Sequence, residues 1–109
     1  MTTTVKNLVP TKRLELAQTT QYTAILATGI IDHATATNIT GANVSLNVNL
    51  VPSGDNAGSD NLIMDAQTIT PGECYPCPEL VGHVLENGEF ISTLTAAGNA
   101  IVFKVTGRE

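Results

Sequence analysis

Between residues 43 and 51 apolar and polar side chains alternate without a break. Val44, Leu46, Val48 and Leu50 fall on one side, and Asn43, Ser45, Asn47 and Asn49 on the other. A period of two places successive side chains on opposite faces, so the segment reads as a strand with one buried and one amide-rich face. The closing segment 99–107 repeats the pattern, with Ile101, Phe103 and Val105 against Val102, Lys104 and Thr106. Further strand-like runs cover 14–18, 22–27, 30–39, 61–69, 73–75 and 89–96, the last with Phe90, Ser92, Leu94 and Ala96 on one side. No window keeps apolar residues at helical spacing. Strands recurring every 8–12 residues or so predict an antiparallel all-β sandwich or barrel.

The punctuation agrees with this reading. Gly41-Ala42-Asn43, Pro52-Ser53-Gly54-Asp55-Asn56, Thr70-Pro71-Gly72-Glu73, Asn87-Gly88 and Ala97-Gly98-Asn99 each place Gly or Asn where a turn favours positive φ. Asn87-Gly88 predicts a hairpin between a strand ending near Leu85 and one starting at Glu89. The stretch 52–60 has no large apolar side chain and predicts an extended loop with an exposed, mobile tip. Residues 1–16, with Pro10 among them, read as an N-terminal arm or an edge strand, and residues 17–109 as a single sandwich domain.

Composition narrows the function classes. At 109 residues, 42% hydrophobic and 14% charged, the chain suits one globular core and has no apolar run of membrane-spanning length. Net charge is −5, which repels a nucleic-acid backbone. The charge is uneven: residues 1–16 balance at +2 through Lys6, Lys12 and Arg13 against Glu15, while the remainder balances at −7. Such a segment reads either as a solvated tail or as a contact to an acidic protein neighbour. The opening MTTTVKNLVP has no apolar core or cleavage site of a secretory signal, so folding in a cytoplasm is expected.

Candidate chemistry is sparse. Cys74-Tyr75-Pro76-Cys77 has C-x-x-C spacing, but prolines flank the second thiol and no helix follows to activate the first. The two cysteines with His33 and His83 form a conceivable zinc set; two small loop thiols and two solvated imidazoles are the simpler reading, and a disulfide stays open. Asp55, Asp60 and Asp65 recur at intervals of five, which is not an EF-hand spacing. Neither histidine has a neighbouring Ser or Cys to serve as nucleophile, so no catalytic or cofactor-binding residue is assigned and the chain does not read as an enzyme. Four aromatic residues, Tyr22, Tyr75, Phe90 and Phe103, and no Trp give little support for stacking on sugars or bases. The amide face of 43–51, together with Thr35, Thr37, Asn38 and Thr40, suits either water or a polar protein surface.

Read as an ordered set, five short motifs resemble those of small phage virion proteins: Asn38-Ile39-Thr40-Gly41, Leu50-Val51-Pro52-Ser53-Gly54, Pro71-Gly72-Glu73, Leu85-Glu86-Asn87-Gly88-Glu89 and Val105-Thr106-Gly107-Arg108-Glu109. The likeness covers roughly residues 20–109 and departs at Cys74 and Cys77, where that class holds apolar residues. It implies a β-sandwich of jelly-roll type, about eight strands with an extended N-terminal arm, acting as a capsid decoration or cement protein. The expected partner is the major capsid protein or another virion protein, with the chain itself a dimer or trimer, no cofactor, and the virion as its location. A tail or head–tail connector component and a receptor- or glycan-binding module are the alternatives. The interface residues expected are Lys6, Lys12 and Arg13, and Asn43, Ser45, Asn47 and Asn49.

Overall fold

A computed structural model of the chain describes residues 5–25 and 28–109. These form strands β1 (Val5–Arg13), β2 (Thr19–Thr23), β3 (Gly29–Asn38), β4 (Val44–Val51), β5 (Leu62–Ile69), β6 (Cys74–Tyr75), β7 (Val84–Leu85), β8 (Phe90–Thr95) and β9 (Ile101–Arg108). A 3₁₀ turn, Ser59–Asn61, precedes β5, and the described residues contain no α-helix.

The strands make two antiparallel sheets. Sheet I runs β1-β9-β3-β6, with β7 also on β3, and sheet II runs β2-β8-β4-β5. The pairings nest: β1 lies beside β9, β2 beside β8, β3 beside β6 and β7, and β4 beside β5. This is a long antiparallel ribbon folded over on itself, the jelly-roll arrangement. Counted as two pieces of one interrupted strand, β6 and β7 bring the total to eight. The interruption has local causes: Pro76 and Pro78 lack the N–H a ladder needs, and Cys77 between them takes φ 47°.

The inner faces carry the apolar half of each alternation. Ile31, Ala34 and Ala36 of β3 and Ile101, Phe103 and Val105 of β9 meet Val44, Leu46 and Val48 of β4, Met64 and Ile69 of β5 and Ile91 of β8. Two side chains from irregular segments, Leu14 and Leu80, complete this core. Asn38, wholly buried at the end of β3, donates through Nδ2 to the carbonyls of Ala42 (2.7 Å) and Ile69 (2.8 Å). Its Oδ1 accepts from the N–H and hydroxyl of Thr40. One side chain thereby ties sheet I to sheet II and shapes the turn between them. Among the described residues no buried side-chain N or O atom lacks a hydrogen-bond partner.

Several expectations are corrected. The leading segment, set down as an arm or an edge strand, is not an extended arm over residues 5–13 but β1, the edge strand of sheet I, as the second of those readings has it, while residues 1–4 lie outside the described residues. The strand expected at 14–18 is instead the irregular connection from β1 to β2: only Leu14 is buried, and its N–H and carbonyl engage Ile101 O and Asn99 N–H beyond the end of the ladder. The strand expected at 22–27 appears at Thr19–Thr23, and residues 26–27 lie outside the described residues. The Asn87-Gly88 turn is present, but β7 before it pairs with β3 and β8 after it pairs with β2 and β4. It therefore carries the chain from one sheet to the other and closes no hairpin. A type of turn fixes a reversal; burial of the flanking residues decides which sheet each flank joins.

Candidate interaction surfaces

All five cations of the chain lie on two neighbouring strands. Lys6, Lys12 and Arg13 belong to β1, and Lys104 and Arg108 to β9, which pairs with it antiparallel. Lys6 Nζ meets Glu109 at 2.7 Å, Lys12 Nζ meets Glu15 at 3.1 Å, and Arg108 grips Asp32 with Nε and Nη2, both at 3.0 Å. Arg13 and Lys104 have no ion pair among the described residues. Arg13 stands opposite Val102, two positions along β9 from Lys104, so both project from the outer face of sheet I. Around them on β3 lie His33, Thr35 and Thr37, opposite Thr106, Lys104 and Val102. Eight of the ten acidic residues, Glu15, Asp55, Asp60, Glu73, Glu79, Glu86, Glu89 and Glu109, sit outside the strands. The domain is thus electrically lopsided, with its positive charge gathered on one sheet.

The paired carboxylates are held charged. Gln21 and Lys12, bonding Glu15 at 3.1 Å each, pull its pKa below the usual carboxylate value. Lys6 and then the Tyr22 hydroxyl do the same for Glu109. In turn, burial and the Glu109 carboxylate push the Tyr22 phenol up, so it stays a donor.

Sheet II has the opposite character. Its four strands contain a single charged side chain, Asp65 on the edge strand β5. On its outer face Ser45 and Asn47 of β4 run beside Leu94 and Ala96, and with Leu16, Ala66 and Thr95 they line an open depression of about 380 Å³. Asn47 Oδ1 accepts the N–H of Ala66 at 2.7 Å, where β5 bulges through φ 48° at Ala66.

The amide row of β4 divides into different roles. Asn43 lies in the turn before the strand, exposed, and is not part of the face. Ser45 and Asn47 are half-buried on the outer face, as the alternation requires. Asn49 departs from the expectation of an exposed contact residue: it is only 2% exposed, because the 52–61 loop folds over it. Its Nδ2 donates to Gly58 O at 2.9 Å and Asn61 Oδ1 at 2.8 Å, and Asn61 Nδ2 donates to Asn56 O. The hydroxyl row grouped with β4 is also separated from it, since Thr35 and Thr37 belong to sheet I, on the other side of the sandwich.

Every sheet edge is awkward to extend. β1 has Pro10 and two register shifts, β2 is five residues long with one shift, β5 bulges at Ala66 beside Asp65, and β6 and β7 are two-residue pieces. Prolines, bulges, short strands and charges at an edge all resist strand-on-strand growth. Addition of a further strand at either sheet is therefore disfavoured.

The remaining candidate chemistry does not assemble. Among the described residues no three His, Cys, Asp or Glu side chains gather as a metal-ion set, so Cys74, Cys77, His33 and His83 are not brought together, nor are Asp55, Asp60 and Asp65. Cys74 is exposed and Cys77 buried, and both are free thiols. Burial, then the nearby Glu79, pushes the Cys77 thiol up to about 12, which keeps it protonated. Of the aromatics, Phe103 is core and Phe90 lies half-buried on the outer face of sheet II, opposite Val51. The residues missed in the sequence were Lys104 and Arg108, whose link to the leading cations exists only through the β1–β9 pairing.

Compared with protein-family models, curated proteins and solved structures, the chain matches none.

Proposed function

We propose that this chain is a structural protein of a phage particle that binds the assembled capsid shell, with the major capsid protein as partner, and stabilises it. The reading combines the motif resemblance with one observation that carries it physically, the gathering of all five cations on β1 and β9. Arg13 and Lys104, with no ion pair among the described residues, give the outer face of sheet I two charges to offer an acidic neighbour. Binding many identical sites on a lattice needs rigid shape and a repeated contact and no reacting group, so the chain acts as a binding part and not as an enzyme. Its place is the virion, after synthesis in the bacterial cytoplasm.

Co-sedimentation of the purified chain with capsids lacking it tests this, using unexpanded and expanded shells side by side. Saturable binding to expanded shells with a raised shell melting temperature is expected, and Arg13→Glu with Lys104→Glu removes it. Absence of binding to either shell overturns the reading and moves the chain to the tail or connector.

A further inference from the structure

We infer that Asn87 is a site of spontaneous covalent modification, the loss of its side-chain amide through a succinimide, and that the fold gates this reaction by holding the Gly88 N–H on the Ala24 carbonyl. The inference concerns one turn and stands whether or not the chain binds a shell.

Sequence is the first argument. Of the nine asparagines only Asn87 is followed by glycine; the others precede Leu, Ile, Val or Ala. The reaction needs the next residue's nitrogen to reach the asparagine Cγ, and a Cβ on that residue obstructs the approach, which glycine does not. Nor is this glycine replaceable: Gly88 takes φ 89°, and a Cβ there would collide with Ser53 Oγ. The turn between β7 and β8 thus requires the very residue that makes Asn87 labile.

In the reaction the Gly88 nitrogen gives its proton to solvent and attacks Asn87 Cγ. The bond from Cγ to the side-chain nitrogen breaks, and ammonia leaves after taking a proton from solvent. Water then opens the five-membered ring at either carbonyl, leaving aspartate or isoaspartate.

The structure opposes the first step. Gly88 N–H donates to Ala24 O at 2.7 Å, and Ala24 N–H donates to Glu89 O at 2.9 Å, so the two bonds extend the β2–β8 ladder one step past Thr23 and Phe90. The attacking nitrogen therefore has its hydrogen engaged. Glu89 N–H donates to Glu86 O at 2.9 Å, and φ is negative at Asn87 and 89° at Gly88, which makes a type II turn. In such a turn ψ of about +120° at the second residue swings the following nitrogen away from that residue's own side chain. Ser53 lies against Gly88 on a further side, while Asn87 is exposed to water. Reaction must wait until the end of β2 parts from the start of β8, a local opening of the kind that leaves the rest of a fold intact.

Once it has happened, the change is permanent. The product has net charge −6 in place of −5, with the new carboxylate between Glu86 and Glu89. Isoaspartate also routes the main chain through Cβ and Cγ, which lengthens a four-residue turn that has no room to spare beside Ser53. A copy that opens and reacts does not close again as before, so the conversion marks loosened copies.

The purified full chain is incubated in mildly alkaline buffer below its melting transition and, in parallel, unfolded in guanidinium chloride. Mass spectrometry of peptides follows the exchange of –NH₂ for –OH. In the unfolded chain the change is expected first at Asn87, and in the folded chain about tenfold slower or more. Ala24→Pro removes the N–H given to Glu89 O and is expected to raise the folded rate severalfold; Ser53→Gly, which frees one side of Gly88, does the same if the proline variant fails to fold. Converted copies, separated by anion exchange, are expected to melt below unconverted ones. Equal rates in folded and unfolded chain overturn the inference, as does first conversion at another asparagine. So does a folded rate that neither variant raises, or a melting curve that conversion leaves unchanged.

Discussion

The hydroxyl of Tyr22, in β2 of sheet II, donates to the carboxylate of Glu109, just past β9 of sheet I. The same carboxylate receives Lys6 Nζ from β1. Three segments meet at one carboxylate, which therefore fastens the two sheets together at the β1 side of the sandwich. Tyr22→Phe removes one hydrogen bond and is expected to lower stability by about 0.5–1.5 kcal/mol in urea unfolding, with the slope unchanged.

Acid sensitivity follows from the same clamp and from Glu15. Both carboxylates have folded-state pKa values below the ordinary 4.5. Their contribution is therefore present above that value and is lost as pH falls through the lower folded-state values. Melting temperature should hold steady from about pH 7 to about pH 5 and fall below the unfolded-state value. In Glu15→Gln with Glu109→Gln the fall should be shallower; an identical acid profile would show that the two carboxylates contribute nothing to it.

Asn38 fills four hydrogen-bonding roles inside the fold. Asn38→Ala leaves the Ile69 carbonyl and the Thr40 N–H short of a partner, at a cost of about 1–3 kcal/mol. Thr40→Ala should be milder, because Thr40 is exposed. Equal losses in thermal or urea unfolding would show that the buried side of this network carries no special weight.

Gly107 permits a close approach between β9 and β3. A Cβ there would stand 2.1 Å from Ile30 O and 2.8 Å from Leu8 Cδ1, and the first of these is backbone. Gly107→Ala must push β3 away from β9, with an expected loss of about 1–3 kcal/mol. Gly41→Ala, where nothing lies within 4 Å, is the matched control and should be near neutral.

The two thiols should separate cleanly in a reactivity assay. Cys74 is exposed, while Cys77 is buried with its pKa raised to about 12. An aromatic disulfide reagent near neutral pH is expected to modify one thiol per folded chain and both in denaturant. Prompt modification of both in the folded chain would contradict the burial of Cys77.

How much of this was legible in the sequence depended on whether the signal was local. The alternation Val44 to Leu50 located β4 and its faces, and Ile101, Phe103 and Val105 located β9, because a two-residue period is written in consecutive positions. Asn49 was misread for the same reason. Alternation places it outward, but the 52–61 loop that covers it is set by hydrogen bonds to Gly58 and Asn61, which no periodicity announces. Asn38 looked like one of a row of surface polar groups, and only the proximity of Ile69 from the other sheet makes it interior. The joining of Arg13 with Lys104 depends on a pairing across some ninety positions, beyond the reach of any short window.

The nesting of the strand pairs also sets an order of events. Lys6 and Glu109, which touch, are 103 positions apart in the chain. While the chain is being made, β1 has no partner until β9 has left the ribosome, and β2 must wait for β8. The β4–β5 hairpin is the one part of either sheet able to form early, from neighbours in sequence. Folding is therefore expected to start at the middle of the chain and zip outward to both ends. So long a set of closures makes it slow for a domain of this size.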